Sequence, residues 1–188
     1  MLRLNRLHNK MCYIIGYMQS CPNNGEGWRN EIIPFLTSVG VKVFNPCRKP
    51  VDFGLEDRET RELVNSLLQK EKYDEVRELM KPIRAVDLRM VDKSDFLIFN
   101  LDNNFPTCGS HEEWVTANRQ KKPIIVRCEQ GKSAIPNWMF GALPHELFFS
   151  TWQEVTNYLK HIDESPCFDA VGRWVFFDYE KMHNPITS

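Results

Sequence analysis

The residues best equipped for chemistry in this 188-residue chain stand together in Cys108-Gly109-Ser110-His111-Glu112-Glu113-Trp114. They lie between the apolar runs 96–99 and 123–126, so a strand delivers them, a helix carries them away and a second strand follows. In an open parallel sheet, ligands gather beyond the carboxyl ends of strands, which makes a turn holding Gly, Ser and two carboxylates a site candidate. On local grounds two readings of Ser110 and Glu113 stay open. Ser-x-x-Glu is a capping box, in which hydroxyl and carboxylate satisfy helix-end amides. A helix start also favours an anion through its free amides and dipole, so Ser110 could face a phosphate. Glu112 would point about 100° away from Glu113 on a helix, toward solvent.

The elements that must hold this turn are legible from apolar patterning. Strands are expected over 12–18, 41–44, 96–101, 124–127 and 147–149, each a short apolar run without period-two alternation, as in a sheet covered on both faces. Gly16 lets the first strand's backbone approach a neighbour or ligand. A turn-dense loop over 19–27 follows it, and Asn45-Pro46 marks the carboxyl end of the second strand. Helices are expected over 28–38, 83–95, 111–120 and 152–162. A charged amphipathic insertion over 55–81, one long helix or two broken near 70–72, would present a solvated face. The alternation predicts a three-layer, doubly wound α/β domain over 12–162, with a five-stranded parallel sheet of flavodoxin or Rossmann type. Residues 1–11 read as a leader, and the aromatic stretch 163–188 as a tail packed on the domain or on a partner subunit.

Composition narrows the function classes. With 24 basic and 25 acidic residues the net charge is -1, so no field favours a nucleic acid polymer. The six cysteines show no zinc-ligand spacing and the five histidines are scattered, so neither a metal nor another cofactor is expected. No secretory or membrane segment is apparent, and free thiols fit a reducing, cytoplasmic setting.

Four pieces of the chain are similar to the nucleoside 2-deoxyribosyltransferase superfamily, which includes relatives that hydrolyse nucleoside monophosphates. The first is Tyr13-Ile14-Ile15-Gly16 with Gly25-Glu26-Gly27-Trp28-Arg29, and the second is the strand from Val41 to Asn45-Pro46. The third is Asp87-Leu88 leading to Ser94-Asp95-Phe96-Leu97-Ile98. The fourth is Gly109-Ser110-His111-Glu112-Glu113, followed by Lys122-Pro123-Ile124-Ile125-Val126. Departures fall at Met18-Gln19-Ser20-Cys21, where many relatives have Gly-Pro, and in the long stretch 55–80; both put the substrate's identity in doubt.

The resemblance implies that Glu113 is the nucleophile, that Asp87 handles the nucleobase or its proton, and that Tyr13 or Tyr17 orients the glutamate. It also implies that Asn137 is given to a neighbouring subunit's site in a homodimer or higher homo-oligomer. An N-glycosidic bond breaks through an oxocarbenium-like state, which a carboxylate beneath the anomeric carbon can stabilise or bond. A second carboxyl with a raised pKa would protonate the departing base, and Asp87 and Asp102 are the preferred two. Gly16, Tyr17, Trp28, Asn45, Gly109, Ser110 and Trp138 complete the expected substrate-binding set. The expected activity is transfer of deoxyribose to a free nucleobase acceptor. Hydrolysis of a nucleoside monophosphate is the alternative, and a nucleotide-binding module without turnover is a third reading.

Overall fold

Strands that are apolar on both sides need cover on both sides, and the chain supplies it. In this computed structural model, which describes residues 5–18, 25–165 and 171–177, five strands form one parallel sheet. They are β1 (Met11–Gly16), β2 (Lys42–Phe44), β3 (Phe96–Leu101), β4 (Ile124–Cys128) and β5 (Phe148–Phe149), in the order β2-β1-β3-β4-β5. That is the flavodoxin-like order, and the α/β class predicted by the segment pattern is the one observed. Alternate residues of each strand feed two separate cores. Cys12, Ile14, Phe96 and Ile98 pack with Trp28, Ile32 and Leu36 of α1 (Glu26–Ser38) and with Val155 and Leu159 of α6 (Trp152–Glu164). Tyr13, Ile15, Leu97 and Phe99 pack instead with Val86, Met90 and Val91 of α3 (Tyr73–Lys93) and with Trp114 and Ala117 of α4 (Cys108–Arg119).

Two helix boundaries differ from expectation. The stretch 55–81 and the short helix 83–95 are not separate: α2 (Arg58–Gln69) ends at a turn where Glu71 takes φ 56°, and α3 then runs unbroken through Pro82. An interior proline costs about 3 kcal/mol, but Ile83, Val86, Met90 and Val91 are all buried just beyond it, and that packing holds the helix together. The site helix α4 begins at Cys108 with Thr107 as its N-cap, three residues before the expected start.

The chain ends are partly built in. Leu7, inside the expected leader, is fully buried, and its amide donates to Asp163 Oδ1 at 2.8 Å. In the aromatic tail, Trp174 is buried against Phe96 and its indole donates to the Tyr158 hydroxyl at 2.8 Å. Phe168 and Tyr179 lie outside the described residues, as does the departure over 19–21. Among the described residues no helix is long and apolar enough to cross a membrane.

Gly16 ends β1 in a tight place. A Cβ there would stand 2.6 Å from the Asn100 carbonyl oxygen and 2.9 Å from the Trp28 ring. Gly16→Ala is therefore expected to lower stability by about 1–3 kcal/mol, read as a lower Tm; an unchanged Tm would contradict this account of the β1–β3 edge.

Candidate active site

The strand order reverses direction between β1 and β3, the place where a doubly wound sheet opens a crevice at its carboxyl edge. A cleft of about 380 Å³ lies there, walled by β1, the inner side of α3 and the start of α4. On α4 the buried positions are Ser110, Glu113, Trp114 and Ala117, the i, i+3, i+4, i+7 spacing of an inward helix face. Glu113 thus occupies a core position with an ionisable side chain.

Its partner settles the local ambiguity. Because Thr107 is the N-cap and makes no side-chain capping bond, Ser110 is the third helical residue and the Ser110–Glu113 capping box does not form. Glu113 Oε1 instead accepts the Tyr13 hydroxyl at 2.6 Å, across 100 residues of sequence. Burial pushes the Glu113 carboxyl up to about 7, opposed first by the Tyr13 bond; Asp87 pushes the same way as burial, while Lys49 and Arg29 pull down. Burial and the two neighbouring carboxylates hold the Tyr13 phenol well above its usual range, so it remains a donor.

Asp87 projects from α3 into the same cleft. Burial raises its pKa, and Lys49, whose Nζ stands 2.6 Å from Oδ1, opposes the rise; the Tyr13 hydroxyl also acts to lower it. Tyr13 therefore interacts with both carboxyls. Among the described residues no group of three or more His, Cys, Asp or Glu is placed to hold a metal ion.

The comparisons enter at this point. No family model and no curated protein matches the chain. Among solved structures it is similar to "Structure of Clostridium botulinum CMP N-glycosidase, BcmB", at 17% identity and a TM-score of 0.45, over 81% of this chain and 99% of that one.

Of the residues singled out from sequence, Tyr13, Gly16, Asp87, Gly109, Ser110 and Glu113 line the cleft together. Glu112, expected to point toward solvent, stands on the same wall, as do Cys108 and Met18, whereas Tyr17, Trp28, Asn45, Asp102, Asn137 and Trp138 do not line it. Tyr17 stacks on Phe105 with ring centroids 4.9 Å apart, and Trp28 is buried between Trp152 and the Arg29 guanidinium. Asn45 closes its own turn by accepting the Cys47 amide at 3.0 Å. Asp102 accepts from Gln130 Nε2 at 2.6 Å and from the Asn104 amide at 2.9 Å. Asn137 opens the short helix α5 (Asn137–Phe140), where Trp138 is 87% exposed.

Sequence reasoning passed over three charged residues of the site. Lys49 sits in the loop beyond β2's carboxyl end, and that position was its signal. Glu56, on the cleft wall, belongs to the charged stretch 55–81 that reads as solvated surface, and Arg84, also on the wall, falls in the helix expected over 83–95, of which only the apolar residues read as inward. Arg84 Nε donates to Glu112 Oε2 at 2.8 Å, tying α3 to α4 at the rim.

The raised Glu113 pKa has a stability signature. The native carboxyl holds its proton to about 7, whereas an unfolded one releases it near the ordinary value of 4.5. The folded state therefore binds the extra proton between those values and loses stability as pH rises through that window. Glu113→Gln removes the penalty. Its Tm should match wild type near pH 4.5 and exceed it at pH 8 by the equivalent of about 1–3 kcal/mol; a lower Tm at both pH values would point to a structural role instead.

Proposed function

We propose that this protein cleaves the N-glycosidic bond of a nucleoside and transfers the sugar to an acceptor base through a covalent glycosyl-Glu113 intermediate. The observation that carries this reading is the buried Tyr13–Glu113 hydrogen bond in a cleft shared with Asp87. Tyr13 engages Oε1 and leaves the other carboxylate oxygen to attack the anomeric carbon as the bond to the base breaks. The bonding pair goes to the base nitrogen, which takes the single proton that the Asp87–Glu113 pair shares, carried on Asp87 when Glu113 attacks as the carboxylate. Attack by a nitrogen of the acceptor base then expels Glu113 and returns the proton to Asp87, with retained configuration.

Hydrolysis of a nucleoside 5′-monophosphate is the second reading. It is supported by the start of α4, where Cys108, Gly109 and Ser110 line the cleft with amides that suit an anion. Against it, the Arg84 guanidinium on the cleft wall is already engaged by Glu112, so a phosphate would have to displace that carboxylate, whereas an uncharged nucleoside would not. A binding module without turnover would leave the buried, proton-holding Glu113 without a use.

Nucleosides and nucleoside monophosphates, each with and without a free acceptor base, separate these readings by release of base. Exchange that needs the acceptor supports transfer, and release from monophosphates alone supports hydrolysis. Glu113→Gln should lower turnover by at least about a thousandfold, and kcat/KM should fall as pH rises through about 7, where the carboxyl pair loses the proton that the departing base must receive. Binding without release, or full activity in Glu113→Gln, would end the catalytic reading. The homo-oligomer implied by the resemblance is read separately by light scattering.

A further inference from the structure

We infer that Lys49 is a positioning residue of the proposed reaction, its ammonium fixing Asp87 and setting how protons are shared among Asp87, Tyr13 and Glu113. This rests on the N-glycosidic reading above. The Lys49 side chain is 1% exposed, with Nζ 2.6 Å from Asp87 Oδ1 and 2.9 Å from the Gly54 carbonyl oxygen. Burying an ammonium carries a desolvation penalty, and an apolar side chain of similar size would fill the space without it. The expense has a natural return in chemistry on Asp87.

The loop that carries Lys49 is built to hold it still. Asn45 closes its first turn through the amides of Cys47 and Arg48, at 3.0 and 2.9 Å. Gly54, at φ 65°, lies so close to α3 that a Cβ would stand 2.6 Å from the Pro82 carbonyl oxygen. The loop is thereby pressed onto the helix that bears Asp87.

The charged neighbours come from every surrounding element. Asp87 meets Lys49 and Glu56 from the loop after β2 and Tyr13 from β1. Glu113 meets Tyr13, Asp87, Lys49 and, from α1, Arg29. Two buried carboxyls thus share Lys49, and its loss makes both hold protons to higher pH. In turnover, the carboxylate formed when Asp87 gives up its proton to the departing base faces this ammonium directly. Charge that develops on Asp87 in the transition state is stabilised by a donor already in place. The proton returns to Asp87 when the acceptor base attacks, so Lys49 itself is not consumed.

The test compares wild type with Lys49→Met and Lys49→Arg on the full chain. The titration of the Glu113 carboxyl carbon is followed by NMR on glutamate-labelled protein and assigned with Glu113→Gln; nucleoside cleavage is followed across pH. Lys49→Met should move the Glu113 midpoint upward by about one pH unit. It should also lower kcat at least about tenfold while KM changes less than about threefold. Lys49→Arg should keep the midpoint near its wild-type position and restore most of kcat. A folded Lys49→Met with an unmoved midpoint and an unchanged pH profile overturns the assignment. If Lys49→Met does not fold, Lys49→Gln carries the same expectation and is overturned by the same unmoved midpoint. A wild-type protein that releases no base at any pH overturns the N-glycosidic reading alone, because the NMR titration tests the charge coupling without turnover.

Discussion

The Tyr13–Glu113 hydrogen bond joins the middle of the sheet to the first turns of α4, and the rest of the cleft is arranged around it. A carboxyl group at an inward helix position is costly unless it is hydrogen-bonded or protonated. Here it is both in part: Tyr13 donates to one oxygen, and the carboxyl holds a proton up to about 7. The bond also fixes the rotation of α4 about its axis. If Glu113 faces β1, then Trp114 and Ala117 must face the core and Glu112 must face the rim, where Arg84 meets it.

From that constraint the site extends through charge. Tyr13 lies between two carboxyls, Lys49 compensates one of them, and Arg29 lies behind on the α1 side. Arg29 is fully buried, donates to the Gly25 carbonyl at 2.8 Å and sits over the Trp28 ring. The fold serves this network by opening between β1 and β3, so that groups from α3, α4 and the loops after β1, β2 and β3 converge on one crevice.

Much of this was legible in the sequence, for physical reasons. Strands covered on both faces are continuous apolar runs, and all five were located and expected to run parallel, while their order in the sheet was not read from the sequence. The passage from an apolar strand into the helix that bears Glu113 was also legible, although the helix already begins at Cys108, where a turn was expected. The capping box was not, since Ser-x-x-Glu forms one only if the serine is the N-cap. The same pattern at Thr151-Trp152-Gln153-Glu154 does form the box, with Thr151 as the N-cap, while at 110–113 the helix has already begun. Whether a helix starts at residue 107 or 110 depends on the docking of its inner face, which local spacing does not encode. Lys49 was hidden for a related reason: a charged residue looks solvated until tertiary structure closes over it, whereas Arg84 remains exposed and joins the site only through its partner Glu112 on α4.

The amide of Leu7 bonds to Asp163, 156 residues away, and Phe96 packs on Trp174. During synthesis Asn9 and Lys10 find partners at Gly40 and Lys42 as β2 appears, whereas Leu7 waits until α6 has left the ribosome, an interval of about 10–30 s at ordinary elongation rates. β1, the strand that carries Tyr13, has α1 and β2 beside it early and gains β3 only when residues 96–101 emerge. The described residues that line the cleft all lie at or before Glu113, so the nascent chain holds the whole site before α6 exists to cover the opposite face of the sheet.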